Sequence, residues 1–586
     1  MKSDTNLRQY VLVRSKQTEN KYGPFLKELL ESEGFMGFES VDIDTVPMPL
    51  FGEDDIIIVT RCYLRDTEFE KLENAAKQGA SLVMIQPQKR FVTKFGWKAE
   101  NHVHYPGYIR INEGYPGSGT PLQTHLPIPL YAANENTNDW HVIAHALNCS
   151  RKDDAYPAVV SSRCGEGKLA FLFYDLPEAV ARIRFGNSDL AGYNTAGFAW
   201  SHTFDLFAGH IDERLKHLPQ AEFHTQMFAK LLTEISPYPL PRFWYYEKTE
   251  QKTACIVQSD DDYSKPGDFE ALASAVEKRK GAISFYLMEN TKLSLEQANN
   301  LVGRGHSIAP HIDASGGIDR GAVTCDDLYF SFPERLSDET SRFVKKYGYH
   351  GATMQPHCSP WPSYMEDVPV FQENGYRLLF SYMCFFPCDD WIGNVEKQAE
   401  NWGNYLCGSG RPIKFCDQNG KSYNCWQQPL LFFDDGTHID FFALKERAVS
   451  NFAAKLNDSV TRTYSTLSIL SHPVSFSGYS SPVWENILDI LYDGQHPIYS
   501  GDKWLDFIDR RSAIKISHEI SGNALLVKVE NLDGLLPLMF PVSGEKKISI
   551  NGSFIEPVRE KRLEEIYDFI QLDSAIHGKN INLEIR

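Results

Sequence analysis

Residues 254–257, Ala-Cys-Ile-Val, lead through Gln258 and Ser259 into Asp260, Asp261 and Asp262. An apolar run this short and this abruptly ended suits an interior strand buried on both faces rather than a helix. Such a strand delivers three adjacent carboxylates to its carboxyl end. They repel one another, and burying them requires a cation or strong hydrogen bonds. A metal or acid/base site meets that requirement, and an aspartate-rich turn capping the next helix is the alternative. The loop Gly305-His306-Ser307-Ile308-Ala309-Pro310-His311 that follows tips the balance toward a site.

The same strand opens an alternating series. Helices are expected over 269–280, 295–304, 338–346 and 368–375, and strands over 282–287, 376–382 and 467–470, the last ending in Ser471-His472-Pro473. Alternation of this kind predicts a (β/α) barrel or distorted barrel, with chemistry at the carboxyl ends of the strands. Upstream, Ser236-Pro237-Tyr238-Pro239-Leu240-Pro241 interrupts regular structure three times, because each proline lacks a donor and restrains its predecessor. Before that boundary, strands over 9–14, 54–60, 81–85 and 168–174 and helices over 25–33, 65–78 and 224–234 predict an open, mostly parallel sheet. After about 501, short alternating runs at 513–516, 524–529, 547–552 and 581–585 predict a small β-sandwich. A chain of 586 residues exceeds what one core of roughly 250 residues accommodates, so the expectation is an α/β multidomain protein divided at 1–240, 241–500 and 501–586.

With 59 Lys+Arg against 77 Asp+Glu, the net charge of −18 excludes nucleic acid as the default partner. A neutral or cationic ligand fits better, and 28 Tyr, 36 Phe and 10 Trp suit carbohydrate stacking although most rings fill cores; Trp361 and Trp426 are the stacking candidates. No apolar run reaches the ~20 residues of a membrane span, and Met1-Lys2-Ser3-Asp4-Thr5 has no signal-peptide core. The expected location is the cytoplasm, or outside the cell if a signal peptide has been removed; the oligomeric state is not readable. The 11 cysteines, an odd number spread from Cys62 to Cys425, are read as reduced thiols. Cys384, Cys388, Cys407, Cys416 and Cys425 crowd together without the paired C-x2-C spacing of a structural zinc site, and a disulfide among them is the alternative for an exported protein. His438 is expected to begin a strand and to be structural.

Over roughly 246–495 the chain resembles the NodB-type polysaccharide deacetylases. Ser259-Asp260-Asp261 is similar to that family's Thr-Phe-Asp-Asp, the 305–311 loop to its Gly-His-Glu-Ile-Gly-x-His, Glu373-Asn374-Gly375-Tyr376 to its helix-to-strand step, and Leu470-Ser471-His472-Pro473 to its Leu-x-His. The resemblance implies a divalent metal, zinc first, that activates water against an N- or O-acetyl group of a poly- or oligosaccharide. It further implies Asp260 as base, Asp261 and His311 as metal ligands, and His472 as the acid that protonates the departing amine. A register slipped by one, to Asp261 and Asp262, is the alternative. Two departures stand out: Ser315 occupies the place of the second metal histidine, and Met354-Gln355 that of an arginine before Pro356. Three readings follow. Another group, His357, Asp313 or His306, completes the site; the site is weaker or metal-free; or activity is lost, leaving a carbohydrate-binding or scaffold protein. A hydrolase of a non-sugar linear amide is a further alternative.

The first 235 residues or so resemble glutamine-amidotransferase-like domains, through the strand-helix-glycine-strand pattern of 55–87 and the 165–175 strand. No Gly-x-Cys-x-Gly elbow is present and Cys62 has no flanking glycines, so a non-catalytic domain is expected.

Overall fold

The computed structural model describes residues 5–134, 137–194, 201–313, 325–384, 394–435, 438–542 and 544–586, the side chains of 153–155 and 325–330 excepted. Ser315 and Cys388 lie outside the described residues. Among the described residues, no helix is long and apolar enough to cross a membrane.

The N-terminal segment builds a nine-stranded sheet. Five strands, Phe38–Asp42, Gln9–Val13, Ile56–Val59, Ser81–Ile85 and Gly167–Leu172, are parallel neighbours in that order. The remaining four, Asp153–Cys164, His141–Leu147, Tyr108–Ile111 and Pro121–Gln123, continue the sheet antiparallel. The expected parallel sheet is therefore only half of what forms. The reversal comes from the hairpin at Gly165-Glu166, which pairs Cys164 with Gly167 and forces the incoming strand to run backwards.

In the middle segment the Cys255–Asp260 strand is buried along its whole length and lies between the parallel strands Ser284–Leu287 and Leu467–Ser471. Ser307–Pro310 and Phe432–Phe433 extend the sheet on either side, and Ile498–Tyr499 also pairs with the central strand. Thr353–Met354, Leu378–Leu379, Ser422–Gln427 and Ile413–Cys416 form a separate four-stranded sheet. The strands thus fall into two sheets, with helices Pro266–Glu277, Leu295–Gly303 and Cys325–Tyr347 in the connections. The last of these begins 13 residues before the expected 338, and Pro333 lies inside it. The parallel arrangement is what matters for the site, because it sends the Asp triplet, His311 and His472 to the same edge.

Two antiparallel sheets follow the helix Gly501–Ser512. In one, Lys515–Ser521, Ala524–Glu530, Ile581–Ile585, Ile548–Ile550 and Ser553–Ile555 are joined by Thr5–Leu7 at the edge. In the other, Leu535–Pro541, Glu565–Asp573 and Val558–Arg562 are joined by Arg242–Phe243.

A buried charge cluster ties these segments together. The Glu33 carboxylate accepts from Arg242 Nη2 at 2.7 Å, Arg411 Nη2 at 2.6 Å, Tyr245 Oη at 2.5 Å and Thr225 Oγ1 at 2.7 Å. Beside it, the Glu222 carboxylate accepts from Ser409, Gly410 and Arg411 at one oxygen and from Ser465 at the other. Burial alone would raise the Glu33 carboxyl, but the guanidinium groups of Arg411 and Arg242 and the two hydroxyls hold it down to about 2.

Candidate metal centre

The central strand continues its pairing one residue past Asp260, through an Asp261 N–H to Tyr286 carbonyl bond of 3.0 Å. Side chains alternate across a strand, so Asp260 and Asp261 point to opposite sides. The Asp261 carboxylate accepts the Met288 N–H at 3.3 Å on the far side. The chain then turns through two consecutive left-handed residues, Asp262 (φ 35°) and Tyr263 (φ 66°). Non-glycine residues adopt this conformation at a cost, and here it folds the Asp262 carboxylate back over the strand end.

Asp262, His311 and His357 each place one ligand atom within 4.8 Å of the others. The His311 Nε2 to Asp262 Oδ1 distance is 3.5 Å, and His357 Nε2 to the same oxygen is 3.8 Å. Both rings are oriented from behind. His311 Nδ1 donates to the Gln355 carbonyl at 2.7 Å, and His357 Nδ1 lies 3.2 Å from Asp313 Oδ1. Each bond leaves the Nε2 atom facing Asp262, the arrangement that fixes ligand tautomers in metal sites; His357 Nε2 also lies 3.5 Å from Cys358 Sγ. A donor set of two imidazoles and one carboxylate suits zinc and other borderline divalent ions. His311 Nε2 and Asp262 Oδ1 are moreover buried with no hydrogen-bond partner, the condition a cation would relieve.

Asp260 and His472 flank the cluster. Asp260 Oδ2 lies 3.6 Å from His311 Nε2, and His472 Nε2 lies 3.3 Å from Asp262 Oδ2. Burial raises the Asp260 carboxyl to about 6 against the opposing pull of His311 and His472. Burial pulls His472 down, but the Asp434 hydrogen bond and the charges of Asp262 and Asp260 raise it to about 10. His357 behaves alike, raised to about 11 by Asp313 and Cys358 against its burial. His311 is raised by Asp260 and Asp262 against its burial. The three histidines in turn hold Asp262 well below the usual carboxylate range although burial opposes them.

Asp434, at the end of the Phe432–Phe433 strand, was not singled out from sequence. Its fully buried carboxylate accepts from His472 Nδ1 at 2.9 Å, His472 N at 2.9 Å, Ser471 Oγ at 2.8 Å, Ser480 Oγ at 2.6 Å and Trp484 Nε1 at 2.8 Å. Five donors fix the carboxylate, which fixes the His472 ring with Nε2 toward Asp262. A sequence signal existed: Leu430-Leu431-Phe432-Phe433 ending on Asp434-Asp435 repeats the pattern of the central strand.

Other expected site residues lie elsewhere. His306 sits before Ser307–Pro310, at the opposite end of that strand from His311, with Nε2 2.9 Å from Glu277 and Nδ1 accepting the Ile283 N–H. Trp361 is 1% exposed, its ring stacked on Phe371 and Phe415, so it fills core instead of offering a face to a sugar. Trp426 is 6% exposed and donates to Asp509. His438 precedes the short helix Ile439–Ala443, not a strand, and packs on Phe433. Cys384, Cys407, Cys416 and Cys425 are buried free thiols, and Cys62 is buried with its thiol pushed up to about 12 by burial.

No family model matches the chain, and no curated protein matches it. Among solved structures it is similar to Agd3, described as a novel carbohydrate deacetylase, over 99% of both chains at 10% identity and a TM-score of 0.44. It is also similar to a putative polysaccharide deacetylase from Mycobacterium smegmatis, over 46% of this chain and 92% of that one at 12% identity and a TM-score of 0.31. Peptidoglycan deacetylase PdaC from Bacillus subtilis matches over 45% of this chain and 96% of its own, at 12% identity and a TM-score of 0.27. At such identities and scores these likenesses assign no activity, and the functional reading rests on the site's own geometry.

Proposed function

We propose that the chain is a metal-dependent carbohydrate deacetylase, hydrolysing an N- or O-acetyl group of a poly- or oligosaccharide. One observation carries this reading: the Asp262, His311 and His357 ligand atoms converge within 4.8 Å, with a carboxylate on one side and an aspartate-held histidine on the other. The proposed ligand set takes Asp262 in place of the preferred Asp261, as the slipped register offered, and takes His357, one of the three groups named to complete the site, as the third ligand. A divalent ion held there, zinc first, would lower the pKa of a water and polarise the acetyl carbonyl.

The chain's own residues supply the rest. Asp260, raised toward neutrality by burial, accepts the proton of the attacking water. His472, held by Asp434 with Nε2 toward the cluster, donates a proton to the departing amine or alcohol. Asp313 and the Gln355 carbonyl keep the His357 and His311 rings turned so that Nε2 remains available.

Metal analysis and acetate release test this reading. Wild type is expected to hold one divalent ion and to release acetate from acetylated amino-sugar oligomers. Asp262→Ala, His311→Ala and His357→Ala should each lose the ion while Asp261→Ala keeps it. Asp260→Asn and His472→Ala should keep it but lose activity by about 10²–10⁴-fold. A wild-type protein that binds no divalent ion and releases no acetate overturns the proposal, and loss of the ion in Asp261→Ala but not in Asp262→Ala overturns the ligand assignment.

A further inference from the structure

His357 opens a loop whose shape its own residues do not favour. Cys358 (φ 57°) and Ser359 (φ 45°) are both left-handed, a conformation that costs non-glycine residues roughly 1 kcal/mol or more each. Within the middle segment the loop is anchored near His357 by the His357 N–H to Ile312 carbonyl bond of 2.9 Å and by Gln355 Nε2 to Ser359 Oγ at 2.8 Å. Its far half is anchored by the N-terminal segment. The Trp361 N–H donates to the Ser201 carbonyl at 2.8 Å, and Ser201 Oγ donates back to the Trp361 carbonyl at 2.9 Å. His202 and Pro360 form an antiparallel bridge between the same two strips of chain. Thr203 Oγ1 donates to the Ser381 carbonyl at 2.5 Å, and Tyr364 Oη to the Gly186 carbonyl at 3.4 Å. Ser201, His202 and Thr203 are all buried, so this is a packed junction in which a lost hydroxyl leaves a carbonyl unpaired.

We propose that the Ser201–Thr203 strip is a positioning element for the third metal ligand, so that the N-terminal segment completes a site to which it contributes no ligand. The inference rests on the metal reading above, and it assigns this segment a role in place of a chemistry of its own. Ser201 acts on the 357–364 loop through Trp361, and Thr203 holds the strip in place from the other side through the Ser381 carbonyl; neither touches the reacting atoms. Loosening the strip lets Cys358 and Ser359 relax from their left-handed conformations, and His357 moves with them.

The test compares wild type with Ser201→Ala/Thr203→Val in the full chain. Zinc affinity, measured by competition with a chromogenic chelator, is expected to fall by about 10–100-fold, the range for lost support of a ligand. Alkylation of Cys358 by iodoacetamide, followed by peptide mass spectrometry, reads the loop when wild type and variant are both metal-free, since Cys358 Sγ lies 3.5 Å from His357 Nε2. It is expected to rise by roughly threefold or more in the metal-free variant, with exposed Cys149 unchanged as the internal standard. Thr203→Ser keeps its hydroxyl and is expected to behave as wild type, whereas Ser201→Ala alone, which removes the bond to the Trp361 carbonyl, shifts both readouts; this pair decides the question if the double variant does not fold. Unchanged zinc affinity overturns the positioning role whatever the Cys358 rate does, and so does an unchanged Cys358 rate. Wild type that takes up no zinc overturns the metal reading on which the inference rests, even where the Cys358 rate rises.

Discussion

Replacing Glu33 by Gln should destabilise the protein by several kcal/mol, roughly the cost of breaking a buried ion pair. The glutamine keeps the shape but removes the charge that two buried guanidinium groups share, and its amide cannot accept all four bonds made at 2.5–2.7 Å. A carboxyl held at about 2 instead of its ordinary 4.5 corresponds to roughly 3 kcal/mol of stability at neutral pH. That agrees with the roughly 3–5 kcal/mol lost when one member of a buried ion pair is removed. In a cooperative unit of 150–250 residues it lowers the midpoint of thermal unfolding by roughly 6–12 °C. The pH dependence adds a second signature. A carboxyl depressed in the folded state contributes fully above its unfolded value of 4.5 and loses that contribution as pH falls toward 2. The gap between wild type and Glu33→Gln, followed by circular dichroism, should therefore hold from pH 7 to 5 and shrink to less than half by pH 3. A shift under about 2 °C at pH 7, or a gap that does not narrow on acidification, would refute the reasoning.

Two further outcomes are expected. Asp434→Asn should lower kcat by about 10³–10⁴-fold with KM and bound metal unchanged, because an amide at that position stabilises the wrong His472 tautomer; steady-state kinetics and metal analysis check this. Trp361→Ala should cost roughly 3–5 kcal/mol of stability in denaturant titration, as removal of a core aromatic does, and not act as a selective loss of sugar affinity.

The Asp-bearing strand was legible because burial on both faces leaves an unbroken apolar run, and its position between parallel neighbours follows the expected alternation of strand and helix. His311 and His472 were legible for the same reason, each standing one residue past a buried strand. Which aspartate faces them was not. That depends on the left-handed turn at Asp262 and Tyr263, and neither residue carries the glycine signal that announces such a turn. Asp434 ends the apolar run Leu430–Phe433, the same pattern as the central strand, but the sequence does not show that this strand end packs against His472. The antiparallel strands between 98 and 164 were missed because polar residues such as those of Lys98–His104 interrupt the alternation. Trp361 illustrates a different limit, since sequence gives the ring but not the side from which Phe371 and Phe415 cover it.

The edge strand Thr5–Leu7 has a consequence for how the chain is made. Its partner, Lys515–Ser521, lies more than 500 residues downstream. At synthesis rates of about 5–20 residues per second, the early strand waits roughly 25–100 s for that partner to emerge from the ribosome. Arg242–Phe243 waits likewise for Leu535–Pro541. Both C-terminal sheets are thus closed with segments translated long before, so neither sheet is complete until the chain past 515 has been made. A nascent chain arrested before residue 515 carries unpaired strand edges that invite chaperone capture or aggregation.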